Sequence, residues 1–221
     1  MRRIVGAIFQ TLDGVMQAPG GKSEDPTDGF THGGWQMGYS DKVAESAIGE
    51  LLKPPFGLLL GRRTYDIFAS YWPYVTGEER AIGESFTKAD KYVLTRGDAP
   101  LDWENSHRLS GMDELARVKE SEGPELRIWG SGTIYPALIE AGLLDSLTLL
   151  TYPLVLGSGK RTFRDGTPVT ALKLARHDTG PSGVLVTRFE PGGEIPQGSL
   201  NQAPPNERED RRQAAMAGGN W

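Results

Sequence analysis

Short runs of consecutive apolar residues alternate with helical segments along most of this chain, and this alternation limits the fold more than any other feature. The clearest run is residues 56–60, in which every residue is apolar or glycine. A run of this length without period-two alternation is typical of a strand buried on both faces, as in a parallel sheet. Runs at 3–11, 91–95 and 126–129 are separated by helical segments, so the pattern predicts one three-layer α/β domain.

The end of the chain has a different character. Two late apolar runs, residues 172–177 and 184–190, are separated by a Gly-Pro-Ser-Gly turn, which predicts an antiparallel hairpin. Residues 191–221 have almost no apolar periodicity, and such a segment buries too little surface to offset its chain entropy. We therefore expect a folded domain over residues 1–190 and a disordered polar tail over residues 191–221.

Composition excludes several classes of function. The chain has no cysteine, which rules out disulfides, thiolate metal sites and a cysteine nucleophile. Its three histidines are never four residues apart, which disfavours a metal site. A net charge of −5 argues against general binding to nucleic acid or an anionic membrane. The apolar run at residues 4–9 is too short for a secretion signal, and we expect a cytoplasmic protein.

The corner after the strand at 56–60 has the features of an anion site. Gly61-Arg62-Arg63-Thr64 opens a helix, whose first N–H groups and partial positive charge favour an anion. Two arginines in a first helical turn are unfavourable unless an anion is bound. The alternative is that both arginines point to solvent and Thr64 only caps the helix.

Two further strand ends carry polar or glycine-rich corners. Thr95 and Arg96 end one strand, and Gly130-Ser131-Gly132 lies between a strand and a helix. An ordinary dinucleotide fingerprint is excluded, because Tyr135 stands where the third glycine is needed. Gly157-Ser158-Gly159-Lys160 is not a P-loop, since the first glycine and the hydroxyl residue after the lysine are both missing.

Four segments in this order resemble a known family. They are "GAIFQTLDGVMQAPGG", "LLLGRRTYDIFASYWP", "YVLTR" and "LRIWGSGTIYPALIEAGLLDSLTLLTYPLVLGSG". They are similar to the dihydrofolate-reductase-like superfamily, and more closely to bacterial members grouped with the C-terminal reductase domain of the riboflavin-biosynthesis deaminase/reductase. The similarity extends over residues 3–190 and implies a mostly parallel, twisted sheet with an antiparallel C-terminal edge.

The resemblance also implies NADPH as the hydride donor. On this basis the corner at residues 61–64 would hold the pyrophosphate and the adenosine 2′-phosphate, and the corner at residues 95–96 would border the adenosine. The corner at residues 130–133 would contact the pyrophosphate from the other side. The turn after the first strand would lie beside the nicotinamide. The implied cofactor-binding residues are Met16, Gly61, Arg62, Arg63, Thr64, Thr95, Arg96, Gly130, Ser131, Gly132 and Thr133. Arginines suit a 2′-phosphate better than a ribose hydroxyl, which favours NADPH over NADH.

The substrate side of the site is less strongly indicated. Family reductases carry a carboxylate on the first helix, and Glu45 has about the right spacing from Gly61, although it also fits a solvated position. Asp41 either contacts substrate or caps that helix. Asp13 either takes part in the reaction or braces a turn. Trp35 either stacks on a planar substrate or anchors its loop to the core.

These patterns predict an NADPH-dependent reductase that transfers a hydride to a planar small molecule, either a pterin such as dihydrofolate or a pyrimidine precursor of riboflavin. A non-catalytic nucleotide-binding or interaction protein on the same fold is the alternative, and a flavin-dependent enzyme using the same pocket is another. The resemblance also makes a homodimer through the C-terminal hairpin plausible.

Overall fold

A computed structural model describes residues 1–198, 204 and 206–219 of the chain. Within these residues eight strands form one sheet, and six α-helices accompany it. The strands are β1 (Ile4–Thr11), β2 (Gly57–Gly61), β3 (Lys91–Leu94), β4 (Ser106–Leu109), β5 (Leu126–Trp129), β6 (Ser146–Tyr152), β7 (Leu172–Thr179) and β8 (Leu185–Pro191). The helices are α1 (Lys42–Leu52), α2 (Arg62–Tyr71), α3 (Arg80–Lys88), α4 (Met112–Glu120), α5 (Tyr135–Glu140) and α6 (Glu207–Ala217).

The strand order is β4-β3-β2-β5-β1-β6-β8-β7. All pairs from β4 to β6 are parallel, while β8 pairs antiparallel with both β6 and β7. The predicted α/β class, with a mostly parallel sheet and an antiparallel C-terminal edge, is confirmed. Because β2, β5 and β1 are neighbours, the segments that follow them meet at one edge of the sheet.

The core lies on both faces of the sheet. One face of β1, β5 and β6 packs with α4 and α5 through apolar residues that include Ile8, Ile128 and Leu138. The opposite face packs with α1, α2 and α3, where Leu60, Tyr65 and Phe86 are almost fully buried. The continuously apolar β2 is buried at all five positions, as a central parallel strand should be.

The long segment after β1 is held in place by its own side chains. The indole N–H of Trp35 donates to the Gln17 carbonyl oxygen at 2.8 Å, and the Gln17 side chain donates to the Asp25 and Thr27 carbonyl oxygens, each at 3.0 Å. The Lys160 ammonium lies 2.6 Å from the Asp25 carboxylate. These contacts fix residues 12–38 against the segment that follows β6.

The apolar pattern of the sequence does not predict two elements that the structure contains, strand β4 and helix α3. Strand β4 lies at the edge of the sheet, and its two central residues are exposed, so it has no buried run to detect. Helix α3 buries only Gly83 and Phe86, which is too few for a clear helical stripe. The helix expected directly after Gly132 begins only at Tyr135, because Gly132–Ile134 forms a 3₁₀ turn before α5.

The tail contains a helix where the sequence predicts disorder. Asn206 caps α6 by accepting from the Glu209 N–H at 3.0 Å, and Glu209 pairs with Arg212. No residue of α6 is buried, so local capping and ion pairs account for this helix rather than a core. Trp221 lies outside the described residues. No helix in the described ranges has both the length and the apolar character needed to cross a membrane.

Candidate functional site

The corner after β2 and the corner after β5 are joined by a direct hydrogen bond. The Gly61 N–H donates to the Ser131 hydroxyl oxygen at 3.0 Å. A Cβ atom at Gly61 would lie 3.7 Å from the hydroxyl oxygens of both Ser131 and Thr133. These two corners are 70 residues apart in the chain, and the sheet order brings them together.

The turn after β1 reaches the same place through Met16. An added Cβ at Gly132 would lie only 2.5 Å from the Met16 sulfur, so Met16 packs directly on this glycine. An added Cβ at Gly130 would lie 3.9 Å from both the Met16 methyl carbon and the Thr64 hydroxyl oxygen. Three segments from separate parts of the chain therefore converge.

Local backbone geometry explains why small residues stand at the β5 corner. Gly130 and Ser131 have φ angles of 60° and 52°, in the left-handed region that most side chains avoid. Helix α2 begins directly after Gly61 with no side-chain cap. Its first N–H groups are therefore available to another acceptor, and the helix end carries a partial positive charge.

The two arginines that follow Gly61 lie in different environments. Arg62 forms an ion pair with Asp66 at 2.9 Å and donates to the carbonyl oxygens of Ala99 and Pro100. Its pKa is raised, chiefly by the hydrogen bond to Asp66. Arg63 is exposed and has no ion pair or hydrogen bond to any residue that the structure describes. Arg62 thus positions the loop after β3, while Arg63 makes no such contact among the described residues.

The second corner lies at the end of β3. Thr95 accepts the Gly97 N–H at its hydroxyl oxygen, which tightens the turn. Arg108 also donates to carbonyl oxygens of this loop at residues 97 and 99. Arg96 is exposed and, like Arg63, has no partner within the described part of the chain.

Asp13 is occupied as a hydrogen-bond acceptor. Its carboxylate accepts from the Thr11 hydroxyl at 2.5 Å and from the Gly157 N–H at 2.9 Å, and it lies 3.4 Å from an Arg161 nitrogen. Burial acts to raise its pKa, but the hydrogen bonds from Thr11, Gly157 and Leu156 together lower it below the ordinary value. Asp13 therefore remains ionised and ties the turn after β1 to the loop after β6.

The two acids at the start of α1 lie in different environments. Asp41 caps the helix by accepting the Val43 and Ala44 N–H groups, each at 2.9 Å. Its other oxygen accepts the Ser182 N–H at 3.0 Å and the Ser182 hydroxyl. The latter bond is the main reason that the pKa of Asp41 falls to about 2. Glu45 is exposed, and its carboxylate accepts from the Ser40 hydroxyl at 2.6 Å.

Trp35 is buried in the core. The residue is 9 % exposed, and its ring stands edge-on to Tyr152, with the ring centres 5.3 Å apart. Burial raises the pKa of Tyr152 to about 12, and the charge of Asp41 adds to this effect. With the indole N–H bound to the Gln17 carbonyl, Trp35 anchors the long loop rather than presenting a free face.

Two further residues, Gln17 and Arg161, shape this region, although no sequence pattern indicates a role for them. Gln17 is almost fully buried and accepts the Lys160 N–H at 3.0 Å, which joins two loops at the carboxyl ends of β1 and β6. Arg161 donates to the Asp13 carbonyl oxygen at 3.1 Å. Both are common surface residue types in loops, and only the apposition of the two loops gives them a role.

Comparison with known proteins agrees with this architecture. Residues 2–186 match the family described as the RibD C-terminal domain. The protein YyaP of Bacillus subtilis, itself uncharacterized, is 26 % identical over 194 residues, covering 83 % of this chain and 92 % of YyaP.

Two solved structures show the same fold. A riboflavin biosynthesis-like protein from Shewanella sp. PV-4 has a TM-score of 0.61 at 18 % identity, covering 86 % of this chain and 99 % of that one. Dihydrofolate reductase from Enterococcus faecalis, complexed with NADP(H), has a TM-score of 0.54 at 14 % identity, covering 86 % and 96 %. The predicted dihydrofolate-reductase-like fold is confirmed, and with the match over residues 2–186 the chain belongs to the RibD C-terminal domain family.

Proposed function

We propose that this protein is an NADPH-dependent reductase that transfers a hydride to a planar heterocycle, a pterin such as dihydrofolate or a pyrimidine precursor of riboflavin. The observation that carries the proposal is the convergence of Met16, Thr64 and the corner at residues 130–132 at one edge of the sheet. Ligands of open α/β sheets bind in this position, outside the carboxyl ends of the strands. NADPH would supply the hydride.

The corner residues fit a pyrophosphate. The uncapped start of α2 offers N–H groups, the Thr64 hydroxyl lies near Gly130, and the Thr133 hydroxyl lies near Gly61. Ser131 already accepts the Gly61 N–H, so its part is to hold the two corners at a constant separation. Met16 would limit the approach of the nicotinamide end.

The preference for NADPH over NADH rests on two arginines. Arg63 and Arg96 are exposed, and neither has a partner among the described residues. They follow the neighbouring strands β2 and β3, so a 2′-phosphate bound between these strand ends would meet both. Arg62 would act indirectly, by holding the loop that carries Ala99 and Pro100.

The proton that accompanies the hydride would come from water. Asp13 is an ionised acceptor, and Glu45 is exposed on α1 and bound to Ser40. The lowered pKa of Asp13 keeps that carboxyl ionised near neutral pH, so it holds no proton to give. In this proposal Asp13 and Asp41 position the loops around the substrate, and Trp35 supports the wall behind it.

The alternative is a protein that binds the dinucleotide without turning it over. One observation favours this reading: the candidate acids Asp13, Asp41 and Glu45 each already accept a hydrogen bond from another residue. Both readings share the cofactor site, a small-molecule ligand and a cytoplasmic setting. Both also allow a homodimer through the C-terminal hairpin, where Leu174 and Leu185 are 47 % and 39 % exposed.

Cofactor binding can be measured by quenching of tryptophan fluorescence with NADPH and NADH. We expect Arg63→Gln to weaken NADPH binding about tenfold, the equivalent of about 1.4 kcal/mol, and to leave NADH binding unchanged. Arg117→Gln, an exposed position on α4, is the matched control and should change neither affinity.

Equal weakening of both cofactors by Arg63→Gln would contradict the 2′-phosphate assignment, and an absence of binding would remove the proposal altogether. Turnover is then tested by following NADPH absorbance with dihydrofolate and with a riboflavin-precursor pyrimidine. Tight binding without oxidation in either assay would select the non-catalytic alternative.

A further inference from the structure

A polar cavity lies on the α1 face of the sheet, towards the amino ends of the parallel strands and away from the proposed cofactor site. Its volume is about 180 Å³, and the last turns of α1 form one side. The parallel strands β1, β5 and β6 contribute residues from their first halves, away from their carboxyl ends, and the antiparallel strands β7 and β8 contribute Arg176, Val186 and Arg188. Its charged and hydroxyl-bearing lining residues are Arg3, Glu50, Glu125, Arg127, Ser146, Thr148, Arg176 and Arg188.

The charges around this cavity are unbalanced. Four arginines and two glutamates line it, which leaves two positive charges in excess. Arg127 is paired with Glu125 at 3.1 Å and donates to the Leu51 and Lys53 carbonyl oxygens. Arg176 is paired with Glu50 at 3.0 Å, and also with Asp178, which lies outside the lining. The excess therefore resides on the other two arginines.

Arg188 is the least satisfied of these groups. Its Nε atom is buried and has no hydrogen-bond partner among the described residues. In the β7–β8 ladder Arg188 stands directly opposite Arg176, and like charges at directly opposed positions are destabilising. A buried guanidinium donor without an acceptor adds a further desolvation cost. Both costs would fall if an anion lay in the cavity.

We propose that this cavity is a binding site for a phosphate-sized oxyanion, held by Arg188 and Arg3, with Ser146 and Thr148 as hydroxyl donors. A guanidinium group binds phosphate oxygens through paired N–H donors, which suits this ligand better than a halide. Arg3 is exposed and has no ion pair in the described part of the chain, so it is free to close over the ligand. The ligand is either free phosphate or the phosphate group of a small metabolite.

Isothermal titration of the full chain with inorganic phosphate, in a chloride buffer of low ionic strength, tests the proposal. We expect saturable binding that Arg188→Gln weakens about tenfold or more. Arg117→Gln, with the same loss of charge on the opposite side of the sheet, should bind like the wild type. A parallel titration with ribose 5-phosphate separates the two sources, since tighter binding would indicate a phosphorylated metabolite.

Three results would overturn the assignment: no saturable binding of either ligand, equal binding by wild type and Arg188→Gln, or competition between phosphate and NADPH. The last would mean that phosphate occupies the cofactor site, and Arg63→Gln rather than Arg188→Gln would then abolish it. Circular dichroism checks the fold of each variant. If Arg188→Gln does not fold, Arg3→Gln replaces it, because that side chain is exposed, and the same weakening is required.

Discussion

At the scale of single residues, some charged side chains near the three corners are held in ion pairs and hydrogen bonds, and others are exposed. Arg62 and Arg63 are adjacent in sequence, yet Arg62 is committed to Asp66 and the loop after β3 while Arg63 is exposed. Asp41 is likewise committed, since both its oxygens accept hydrogen bonds. Residue type indicates what a side chain is able to bind, and the position of its neighbours determines whether it is free to do so.

We predict that Asp41→Asn lowers the melting temperature at neutral pH by about 3 °C, because the amide cannot replace the carboxylate opposite Ser182. The pKa of Asp41 is about 2, below the ordinary 3.8, so its contribution is full above about pH 3.8 and is lost as pH falls towards 2. The stability difference from wild type should therefore stay constant from about pH 6 to pH 5 and shrink between about pH 4 and pH 2. Urea titrations across this range measure it, with Asp165→Asn, an exposed position, as the control. A difference that stays constant with pH would refute the explanation.

At the scale of elements, the close approach of α5 to β1 depends on a missing side chain. A Cβ at Gly6 would lie 2.6 Å from the Tyr135 hydroxyl oxygen and 2.9 Å from a Leu147 methyl carbon. Tyr135 is fully buried, and burial raises the pKa of its hydroxyl. Its ring cannot move aside within a packed core, so the distance between helix and strand is set by this glycine.

We predict opposite effects for two glycine-to-alanine substitutions. Gly6→Ala should reduce the free energy of unfolding by about 1–3 kcal/mol through overpacking. Gly49→Ala, inside α1 with nothing within 4 Å of the new Cβ, should increase it by up to about 1 kcal/mol through helix propensity. Denaturant unfolding of both variants provides the measurement. If the two variants shift stability in the same direction, the packing argument at Gly6 fails.

At the scale of the whole molecule, the buried residues of the three core clusters all lie between residues 4 and 186, on the sheet and the segments packed on it. The last backbone bond of the sheet region joins the Gly192 N–H to the Ala171 carbonyl oxygen at 2.8 Å. Beyond it, α6 has no buried residue and is held by its cap and its own ion pairs. The sequence pattern and the extent of the sheet both predict a domain boundary near residue 190.

Removal of residues 194–221 should therefore leave the melting temperature within about 1 °C of that of the full chain. NADPH binding should be equally unaffected. Differential scanning calorimetry and the fluorescence titration measure the two quantities. A loss of more than roughly 5 °C would show that the tail packs on the domain.

The sequence by itself determined the strands that are buried on both faces, the helices with a clear cap or corner, and the antiparallel finish, because each of these depends on local periodicity and turn chemistry. It also located the three corners, since glycines and hydroxyls after apolar runs are local signals. Only the tertiary structure decided that β2, β5 and β1 are neighbours, so that Thr64, Met16 and Gly130 meet. It also decided which charges are already paired, because ion pairs such as Arg62–Asp66 and like-charge neighbours such as Arg176 and Arg188 depend on register and packing that no single segment encodes.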